Sequence, residues 1–473
     1  MSRVPSRQVD APGSGSVRPA VTSGDVGPQA DVASAELEPA PDLTAAPEAG
    51  VAVVPPGLIA QTLGEYVRAY IARIAAGESG VLPVIVAMAA IMIVFQAISP
   101  NHVYLSPVNV VNLFQQSAVF MVLAMAVGFA LILGEIDLSV GFVGALGAAI
   151  TVQLVQPLNT NWPWWAGIAA GLFACTVFGV IQGTLVTRLR LPSFIVTLGG
   201  YLIANGLFLM VLLIGPFSGF PSLAGFSNNL QVIYNLMWGN FDPTTSWIAA
   251  AVVVVALDGY IWLGDARRRK SGLVAPPVGV TVIKMLLIAV VAVIVVSICN
   301  ANRANRGVLE GVPYVIPIVL AVLGAWTMLL QSTKFGRYMY AIGGNPEAAR
   351  RAGINVALVR TVGFALCSFT AGIAMLLYAS LLGGMSNNLQ GGQYVLYAVA
   401  AAVIGGTSLF GGRGKPLHGV LGGLVIGGIY NGMYLQGLPV QWEYVVTGLV
   451  LLAALTIDSL SRRGASSGSV TRA

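Results

Sequence analysis

Apolar runs, each about as long as a membrane span, follow one another along most of this sequence. A helix needs about 20 apolar residues to cross the hydrocarbon core of a bilayer. Backbone groups left unpaired in lipid are so costly that helices are the natural solution. The pattern therefore predicts an all-α fold, a polytopic transmembrane helix bundle of about 12 spans. The predicted spans lie near residues 81–98, 115–134, 139–156, 164–187, 194–214, 246–263, 279–298, 314–330, 358–382, 394–410, 417–435 and 441–457.

The two ends of the sequence lack this pattern. Residues 1–57 are rich in Pro, Ala, Gly, Ser and Asp without periodic apolar positions, which predicts a disordered cytoplasmic tail. Residues 58–78 repeat apolar positions at helical spacing, with charged residues between them. This segment is either an amphipathic interfacial helix on the inner leaflet or a helix packed on the bundle. Residues 79–460 then form the transmembrane domain, and residues 461–473 form a second cytoplasmic tail.

Basic residues predict the orientation of the spans, because cytoplasmic loops of membrane proteins are enriched in Lys and Arg. If the N-terminus lies inside, the inner side receives nearly all basic clusters, and both termini are cytoplasmic. Arg303 and Arg306 are the exceptions, and Glu310 offsets part of their charge. The inner clusters are Arg68 and Arg73, Arg188 and Arg190, 267–270, Lys334 and Arg337, Arg350 and Arg351, Arg413 and Lys415, and Arg462 and Arg463.

The same orientation places outer loops near residues 99–112, 215–245, 299–313 and 383–393. The second of these loops has enough aromatic area to lie against the membrane interface or to receive another protein. Its aromatic residues are Phe217, Phe220, Phe226, Tyr234, Trp238 and Phe241.

Composition supports a membrane protein, and in a membrane protein positive charge does not indicate nucleic-acid binding. The chain is 56% hydrophobic and 9% charged, whereas a soluble domain carries roughly a quarter charged residues. The net charge of +6 is compatible with nucleic-acid binding. The basic residues, however, lie in short clusters beside apolar runs, where they orient spans and meet anionic headgroups. We therefore expect contact with membrane lipid and no nucleic-acid partner.

Cysteine and histidine are too few and too scattered to indicate a metal site. Cys175, Cys299 and Cys367 lie within or at the edge of apolar segments and have no close paired spacing, which predicts buried thiols. His102 and His418 are far apart in sequence. We expect neither a metal nor a cofactor on this chain.

A polar, helix-prone segment at 341–355 interrupts the apolar runs. Asn345 can cap a helix, Pro346 suits its first position and Glu347 places a carboxylate in the positive first turn. Gly353 can end the helix in a left-handed cap. The helix has no apolar stripe of its own and must lie in water. It is either a solvated connector or a docking helix for a soluble partner.

Three stretches, 343–355, 134–141 and 405–414, occur in the order found in a known family. They resemble motifs of the permease subunits of ribose/xylose-type ATP-binding-cassette monosaccharide importers, over roughly residues 82–458. In that family the loop corresponding to 334–356 is the cytoplasmic coupling loop, which seats in a groove of the ATPase subunit. The resemblance therefore favours docking over the solvated connector. The implied coupling residues are Gly344, Asn345, Pro346, Glu347, Ala348, Arg350, Arg351 and Gly353.

The resemblance also implies partners and a location. A homodimer or pseudo-dimer of permease subunits surrounds the path, cytoplasmic ATPase subunits hold ATP and Mg²⁺, and an extracytoplasmic sugar-binding protein delivers substrate. The location is the cytoplasmic membrane of a prokaryote, and a pentose such as xylose or ribose is the expected sugar. Spans 246–263 and 279–298 look like an addition to shorter members, similar to the longer xylose-like branch.

The chain itself lacks a nucleotide-hydrolysis motif. The glycine-rich stretch 411–416 invites comparison with a phosphate-binding loop. Leu409 stands where that motif needs its first glycine, and Pro416 replaces the Ser or Thr that binds magnesium. We expect a translocation subunit without enzymatic activity.

Polar residues near or within the spans are candidates for a translocation path. Glu135, Asp137 and Ser139 lie between two apolar runs, where carboxylates are expensive unless they reach water or a partner. Either Glu135 lies at an aqueous turn and Asp137 or Ser139 caps the next span, or the segment breaks a helix and lines the path. Amides in the spans more often bond between helices. The amide residues are Gln115, Gln116, Gln153, Gln182, Asn205, Asn387, Asn388, Gln390 and Asn431, of which Asn205, Asn387 and Asn388 are retained as path candidates.

Two glycine stripes predict close helix packing. Gly141, Gly144 and Gly147 share one side of a helix. A four-residue step relates three further glycines: Gly419, Gly423 and Gly427. Small residues let neighbouring backbones approach, which is how helices associate in lipid. The stripes serve either packing within one subunit or a dimer seam.

Two other functional classes remain open from the residues alone. An ion-gradient-driven secondary sugar transporter would show inverted repeats and ionisable residues near the midplane. Glu135 and Asp137 are the interior candidates, and no clear inverted repeat is visible. A passive channel or scaffold would need no docking helix.

Overall fold

The computed structural model describes residues 82–214, 220–273, 275–304 and 307–439. It also describes residues 64, 65, 68, 441, 442, 444–449, 452 and 456. The predicted tails, 1–57 and 461–473, lie outside the described residues. So do most of the predicted helix 58–78 and part of the predicted span 441–457.

The described residues are helical, without a β-strand among them, and the prediction of an all-α fold is confirmed. Two isolated antiparallel bridges, Ser222 with Gly384 and Asn240 with Pro313, join loops. A 3₁₀ helix, Pro100–Leu105, follows the first α-helix. The α-helices are α1 (Leu82–Ile98), α2 (Pro107–Ile132), α3 (Val140–Val155), α4 (Trp164–Arg188), α5 (Ser193–Leu212), α6 (Asn228–Trp238), α7 (Pro243–Lys270), α8 (Val278–Asn300), α9 (Val315–Ser332), α10 (Lys334–Gly344), α11 (Pro346–Arg351), α12 (Val356–Leu382), α13 (Gly391–Ile404) and α14 (Pro416–Leu435).

Among the described residues, seven helices are long and apolar enough to cross a membrane: α2, α4, α5, α7, α8, α9 and α12. Helices α1, α3 and α13 are apolar but shorter. The predicted segments from 81–98 to 417–435 each coincide with a helix. The structure is consistent with a polytopic bundle, while the count of 12 spans and the side on which the termini lie stay predictions.

Helix α2 forms the centre of the core. Its side chains are buried almost continuously from Ser117 to Ile132, whereas the apolar window of α7 has no buried residue. An all-round apolar helix needs neighbours on every side, and α2 packs against α12, α13 and α14. The three cysteines are buried free thiols, as predicted.

Both glycine stripes are used inside one chain. A Cβ at Gly144 would lie 2.5 Å from the carbonyl oxygen of Ala371, so α3 and α12 touch through their backbones. A Cβ at Gly423 would lie 2.5 Å from Cα of Met121, which gives the same close approach between α14 and α2. Packing within one subunit therefore accounts for the stripes.

The segment predicted as the outer loop 215–245 contains the helix α6. Leu230, Ile233 and Met237 are buried at helical spacing, which holds this short amphipathic helix on the bundle. The backbone amide of Met237 donates to Oγ of Ser380, on α12, at 3.0 Å. Phe226, just before the helix, is fully exposed.

Helices α7 and α8 form a peripheral pair. They pack chiefly on each other. Their connected ends are joined by Thr281, whose hydroxyl donates to Oδ2 of Asp265 at 2.8 Å, and by Arg269, which donates to Thr281 at 3.3 Å.

Arg303, one of the two basic exceptions on the predicted outer side, has a structural role. The residue is only 8% exposed. Its guanidinium donates to the carbonyl oxygens of Cys299 and Gly311 and, at 3.0 Å, to Oδ1 of Asn240. Burial lowers the pKa of Arg303, and the negative charge of Glu310 acts in the opposite direction. Carbonyl oxygens, more than Glu310, compensate the buried charge.

We predict that Gly423→Ala lowers the melting temperature of the detergent-solubilised protein. The new methyl group would meet the backbone of Met121, and overpacking of this kind costs about 1–3 kcal/mol. Gly324→Ala in α9 is the matched control, because no atom lies within 4 Å of its added Cβ. Alanine there should keep or raise stability. Equal melting temperatures for the two variants would contradict close packing at Gly423.

Candidate functional site

The three motif stretches, far apart in sequence, meet at one end of the bundle. The amide of Gly412 donates to the carbonyl oxygen of Ile132 at 2.9 Å. A Cβ at Gly343 would lie 2.5 Å from the nitrogen of Gly412. The hydroxyl of Tyr340 donates to the carbonyl oxygen of Gly414 at 2.7 Å. We call this region, residues 132–139, 333–355 and 405–415, the motif end.

Helix α11 at the motif end has the local structure that its sequence predicts. The side chain of Asn345 accepts hydrogen bonds from the amides of Glu347 and Ala348, and Pro346 is the first helical residue. Gly353 has φ +81°, which favours glycine. Its amide bonds to the carbonyl of Arg350, and the next amide bonds to that of Ala349. This is the predicted left-handed cap.

One side of α11 is anchored and the other is charged and exposed. Ala349 is 4% exposed, whereas the side chains of Glu347, Arg350 and Arg351 are 57%, 66% and 81% exposed. Glu347 pairs with Arg350 at 3.1 Å and with Arg351 at 3.6 Å. Exposed pairs of this kind contribute little stability, so these charges can be used to contact another molecule.

The polar side chains of the turn 134–139 are buried, although Gly134 and Ile136 are exposed, and so the alternative that places Glu135 at an aqueous turn is not what the structure shows. Glu135 is 8% exposed and its Oε1 lies 3.1 Å from Nε of Arg360, on α12. Asp137 is 1% exposed, and burial raises its pKa. The pair Glu135–Arg360 therefore holds the turn against α12.

Ser139 occupies the N-cap position of α3, but its hydroxyl does not cap the helix. It donates to Oδ1 of Asp137 at 2.6 Å, and that same oxygen accepts the amide of Ser139 at 2.9 Å. Nε2 of Gln182, on α4, donates to the Ser139 hydroxyl at 2.9 Å. These bonds join the turn to α4.

The six residues named as path candidates are not brought together. Glu135, Asp137 and Ser139 lie at the motif end, while Asn205 is half-buried in the middle of α5. Asn387 and Asn388 are exposed in the loop after α12, at the opposite end of the bundle. A role for these residues in a path stays a prediction.

An aromatic group that sequence reasoning missed lies between α2, α12, α13 and α14, in the half of the bundle away from the motif end. The ring of Phe120 lies 6.0 Å from that of Tyr394, 5.6 Å from that of Tyr397 and 5.9 Å from that of Tyr430. The rings of Tyr378 and Tyr394 are 4.9 Å apart.

Amide side chains border these rings. Nε2 of Gln393 donates to the hydroxyl of Tyr397, and the hydroxyl of Tyr444 donates to Gln390 and Gln393. Nδ2 of Asn431 donates to Oε1 of Gln116 at 3.1 Å. We call these residues the amide–aromatic cluster: Gln116, Phe120, Tyr378, Gln390, Gln393, Tyr394, Tyr397, Tyr430 and Asn431.

The sequence carried a partial signal for this cluster. Gln390, Gln393, Tyr394 and Tyr397 are spaced so that they share one face of a helix. Gln116 and Phe120 are likewise one helical turn apart. Spacing within each helix does not indicate which helices are neighbours, so the convergence could not be predicted.

The membrane-length helices define a polytopic membrane protein, and the short helix α11 at one end exposes charged side chains. Residues 109–455 match the family described as branched-chain amino acid transport system / permease component. This match covers most of the chain, and the chain belongs to that permease family.

Individual relatives are sugar permeases. The xylose transport system permease protein XylH of Escherichia coli is 36% identical over 388 residues, which cover 81% of this chain and 92% of the relative. The protein of the same name from Haemophilus influenzae is 34% identical over 384 residues, covering 79% and 95%. The ribose import permease protein RbsC of Escherichia coli is 27% identical over 376 residues, covering 79% and 92%. No solved structure matches.

These relatives confirm the resemblance that the three motifs indicated, to ribose/xylose-type sugar permeases nearest the xylose branch. The chain is thus a membrane protein of the sugar-permease type.

We predict that Glu135→Gln lowers the melting temperature in detergent. The Glu135–Arg360 ion pair is largely buried, and losing the Glu135 charge should cost about 1–3 kcal/mol, between the values for exposed and for fully buried pairs. The charge exchange Glu135→Arg with Arg360→Glu should restore part of the loss. Glu347→Gln is the control, because an exposed pair contributes little. A double variant no more stable than Glu135→Gln would contradict this pairing.

Proposed function

We propose that this chain is the permease subunit of an ATP-driven importer of a monosaccharide, with a pentose such as xylose as substrate. The observation that carries the proposal is the meeting of the three family motifs at one end, where α11 presents exposed charges. The 36% identity to a xylose transport system permease over 81% of the chain supports the sugar class.

In this proposal two permease subunits surround the path in the cytoplasmic membrane of a prokaryote. ATPase subunits dock on α11 from the cytoplasm, and an extracytoplasmic sugar-binding protein delivers the sugar at the opposite end. ATP and Mg²⁺ are held by the ATPase. The permease contributes movement and a path, with no catalytic residue.

Closure of the ATPase dimer would displace α11, and the contacts of α11 determine what moves with it. Two residues separate Gly353 from the first residue of α12, where the side chain of Asn355 accepts the amide of Leu358. Helix α12 packs against α2, α3 and α4. A displacement of α11 is therefore transmitted to the centre of the bundle.

The amide–aromatic cluster is the proposed contact with sugar. Amide groups donate and accept hydrogen bonds, as hydroxyl recognition requires, and the rings offer apolar faces. In this conformation the rings contact one another, which in this proposal is the state with the path closed at the cluster. Opening toward the outside would separate these rings and expose the amides.

We predict that Glu347→Arg with Arg350→Glu reduces copurification of the ATP-binding chain. The exchange keeps an opposite-charge pair between positions 347 and 350, replaces the pair of Glu347 with Arg351 by two like charges, and reverses the charges at 347 and 350, so a surface complementary to these positions would be repelled. The tagged chain is purified from its own membranes, and bound chains are identified by mass spectrometry. The matched control is Arg268→Glu, a charge reversal at the end of α7.

Two results would contradict this docking surface or its energy source. Unchanged copurification and uptake in the exchanged variant would exclude α11 as the contact. Uptake that an uncoupler abolishes while ATP is held constant would instead indicate ion-gradient-driven transport.

We predict that Gln393→Leu and Tyr394→Leu each reduce xylose uptake by about tenfold, because removing an amide group or a ring face that contacts the sugar should cost about 1.4 kcal/mol. Copurification of the ATP-binding chain should stay unchanged. Tyr260→Leu, at a position 74% exposed on α7, is the control. Normal uptake by both cluster variants would remove the cluster from the path without affecting the docking proposal.

A further inference from the structure

One buried carboxyl group at the motif end is used neither by the docking helix nor by the amide–aromatic cluster. Asp137 lies in the turn between α2 and α3 and is 1% exposed. Its Oδ1 accepts two hydrogen bonds, from the amide and from the hydroxyl of Ser139. Its Oδ2 is also buried, but it has no hydrogen-bond partner among the described residues. The two oxygens of this carboxyl group are therefore in different chemical environments.

No positive charge compensates this carboxyl group within the part of the chain that the structure describes. The ion pairs found there do not include Asp137, and Arg360 is paired instead with Glu135 at 3.1 Å. Gln182, which joins the site from α4, is uncharged, as is Thr197, which binds the backbone of the turn from α5. Helices α2 and α3, on either side of the turn, contain no titratable side chain. A carboxylate ion without water or a cation is so costly that such a group takes up a proton instead.

The side chain that reaches the carboxyl group from α12 is a thiol. Cys367 is buried and interacts with Asp137 and with the carbonyl oxygen of Ala130, near the end of α2. A thiol is a weak donor and a weak acceptor, so it does not replace a cation beside a carboxylate. Hard metal cations prefer several oxygen ligands, which a site shared with a thiol does not offer. A proton fits the site better than a metal ion does.

We propose that Asp137 is a proton-binding site, which holds a proton on Oδ2 at neutral pH in this conformation and releases it to water when the motif end opens. Oδ1 is the carbonyl oxygen of the neutral acid, because both donors of Ser139 point to it. Release breaks the O–H bond, leaves its electron pair on Oδ2 and passes the proton to a water molecule. Closing takes a proton back from the same side, so no proton crosses the membrane. Burial raises the pKa of Asp137 in this conformation, as the proposal requires.

The segments that cover the turn are those that a displaced docking helix would move. A Cβ at Gly411 would lie 3.0 Å from Cα of Gly134, so the turn and the loop before α14 touch through their backbones. The pair of Glu135 with Arg360 holds the turn on α12, the helix into which α11 leads. Separation of these contacts would admit water, and a hydrated carboxyl group is ionised at neutral pH. Opening and proton release are therefore linked, and a rise in pH favours the open form.

The first test follows opening through the reactivity of Cys367 in the purified full chain. Cys175→Ala with Cys299→Ala leaves Cys367 as the one thiol of the sequence. A maleimide reacts with the thiolate, whose formation in the open form raises the labelling rate about tenfold per pH unit below the thiol pKa. Release of a proton from Asp137 on opening adds a second factor of about ten, so the rate should rise about a hundredfold per unit. Asp137→Asn, which is uncharged at every pH, should give about tenfold.

Infrared spectroscopy gives a second readout that needs no opening. The spectrum of the wild-type protein minus that of Asp137→Asn at neutral pH should contain the C=O stretching band of a neutral carboxylic acid. Ser139→Ala removes a hydrogen bond to Oδ1 and should move this band to higher frequency, which identifies it even if Asp137→Asn does not fold. Neither measurement involves ATP, sugar or a partner chain, so the result is independent of the proposed function.

Three results would overturn the proposal. The first is a labelling rate that rises about tenfold per pH unit both with Asp137 and with Asn at this position. The second is an infrared difference that contains the bands of a carboxylate ion in place of those of the acid. The third is a spectrum or a labelling rate that changes when sodium is replaced by choline at constant pH, which would assign the site to a metal cation.

Discussion

The cost of leaving a polar group unpaired where water is absent governs how this bundle is assembled. Lipid is as apolar as leucine, so apolar surface alone gives little reason for one pair of helices to be neighbours. Polar bonds supply that choice. Gln115 donates to the carbonyl of Met237 at 2.7 Å, and Asn109 donates to Asn431 at 2.8 Å, across more than a hundred residues of sequence in each case. Such bonds determine which helices meet.

Close backbone contact is the second condition on which the fold depends, and it is most stringent around α2. Glycines on α14 face α2 across the shared interface, where an added methyl group would strike backbone atoms. Backbones also approach closely at the motif end, where Gly343 and Gly412 face each other. The helices that would carry movement between the two membrane surfaces are therefore packed without spare volume.

The features that could be predicted from the sequence are those that depend on residues close together in the chain. The all-helical fold follows from the apolar runs, and the start and end of α11 follow from Asn345, Pro346 and Gly353. Helix α6 was not predicted, because an amphipathic segment of 11 residues within an aromatic-rich stretch lacks the length of a span. Contacts such as Glu135 with Arg360 depend on which helices are neighbours. Spacing along one helix contains no information about the next, so the amide–aromatic cluster could be found only in three dimensions.

The contact of Gly343 with its surroundings has a mechanical consequence. A Cβ at this position would lie 1.8 Å from the carbonyl oxygen of Ile132 and 2.5 Å from the nitrogen of Gly412. The segment leading into α11 thus packs against the end of α2 and against the loop that precedes α14. At its other end, α11 leads into α12. A force applied to α11 would therefore be shared by α2, α12 and α14 and would shift these helices together. The same force applied through a contact with one helix would bend that helix.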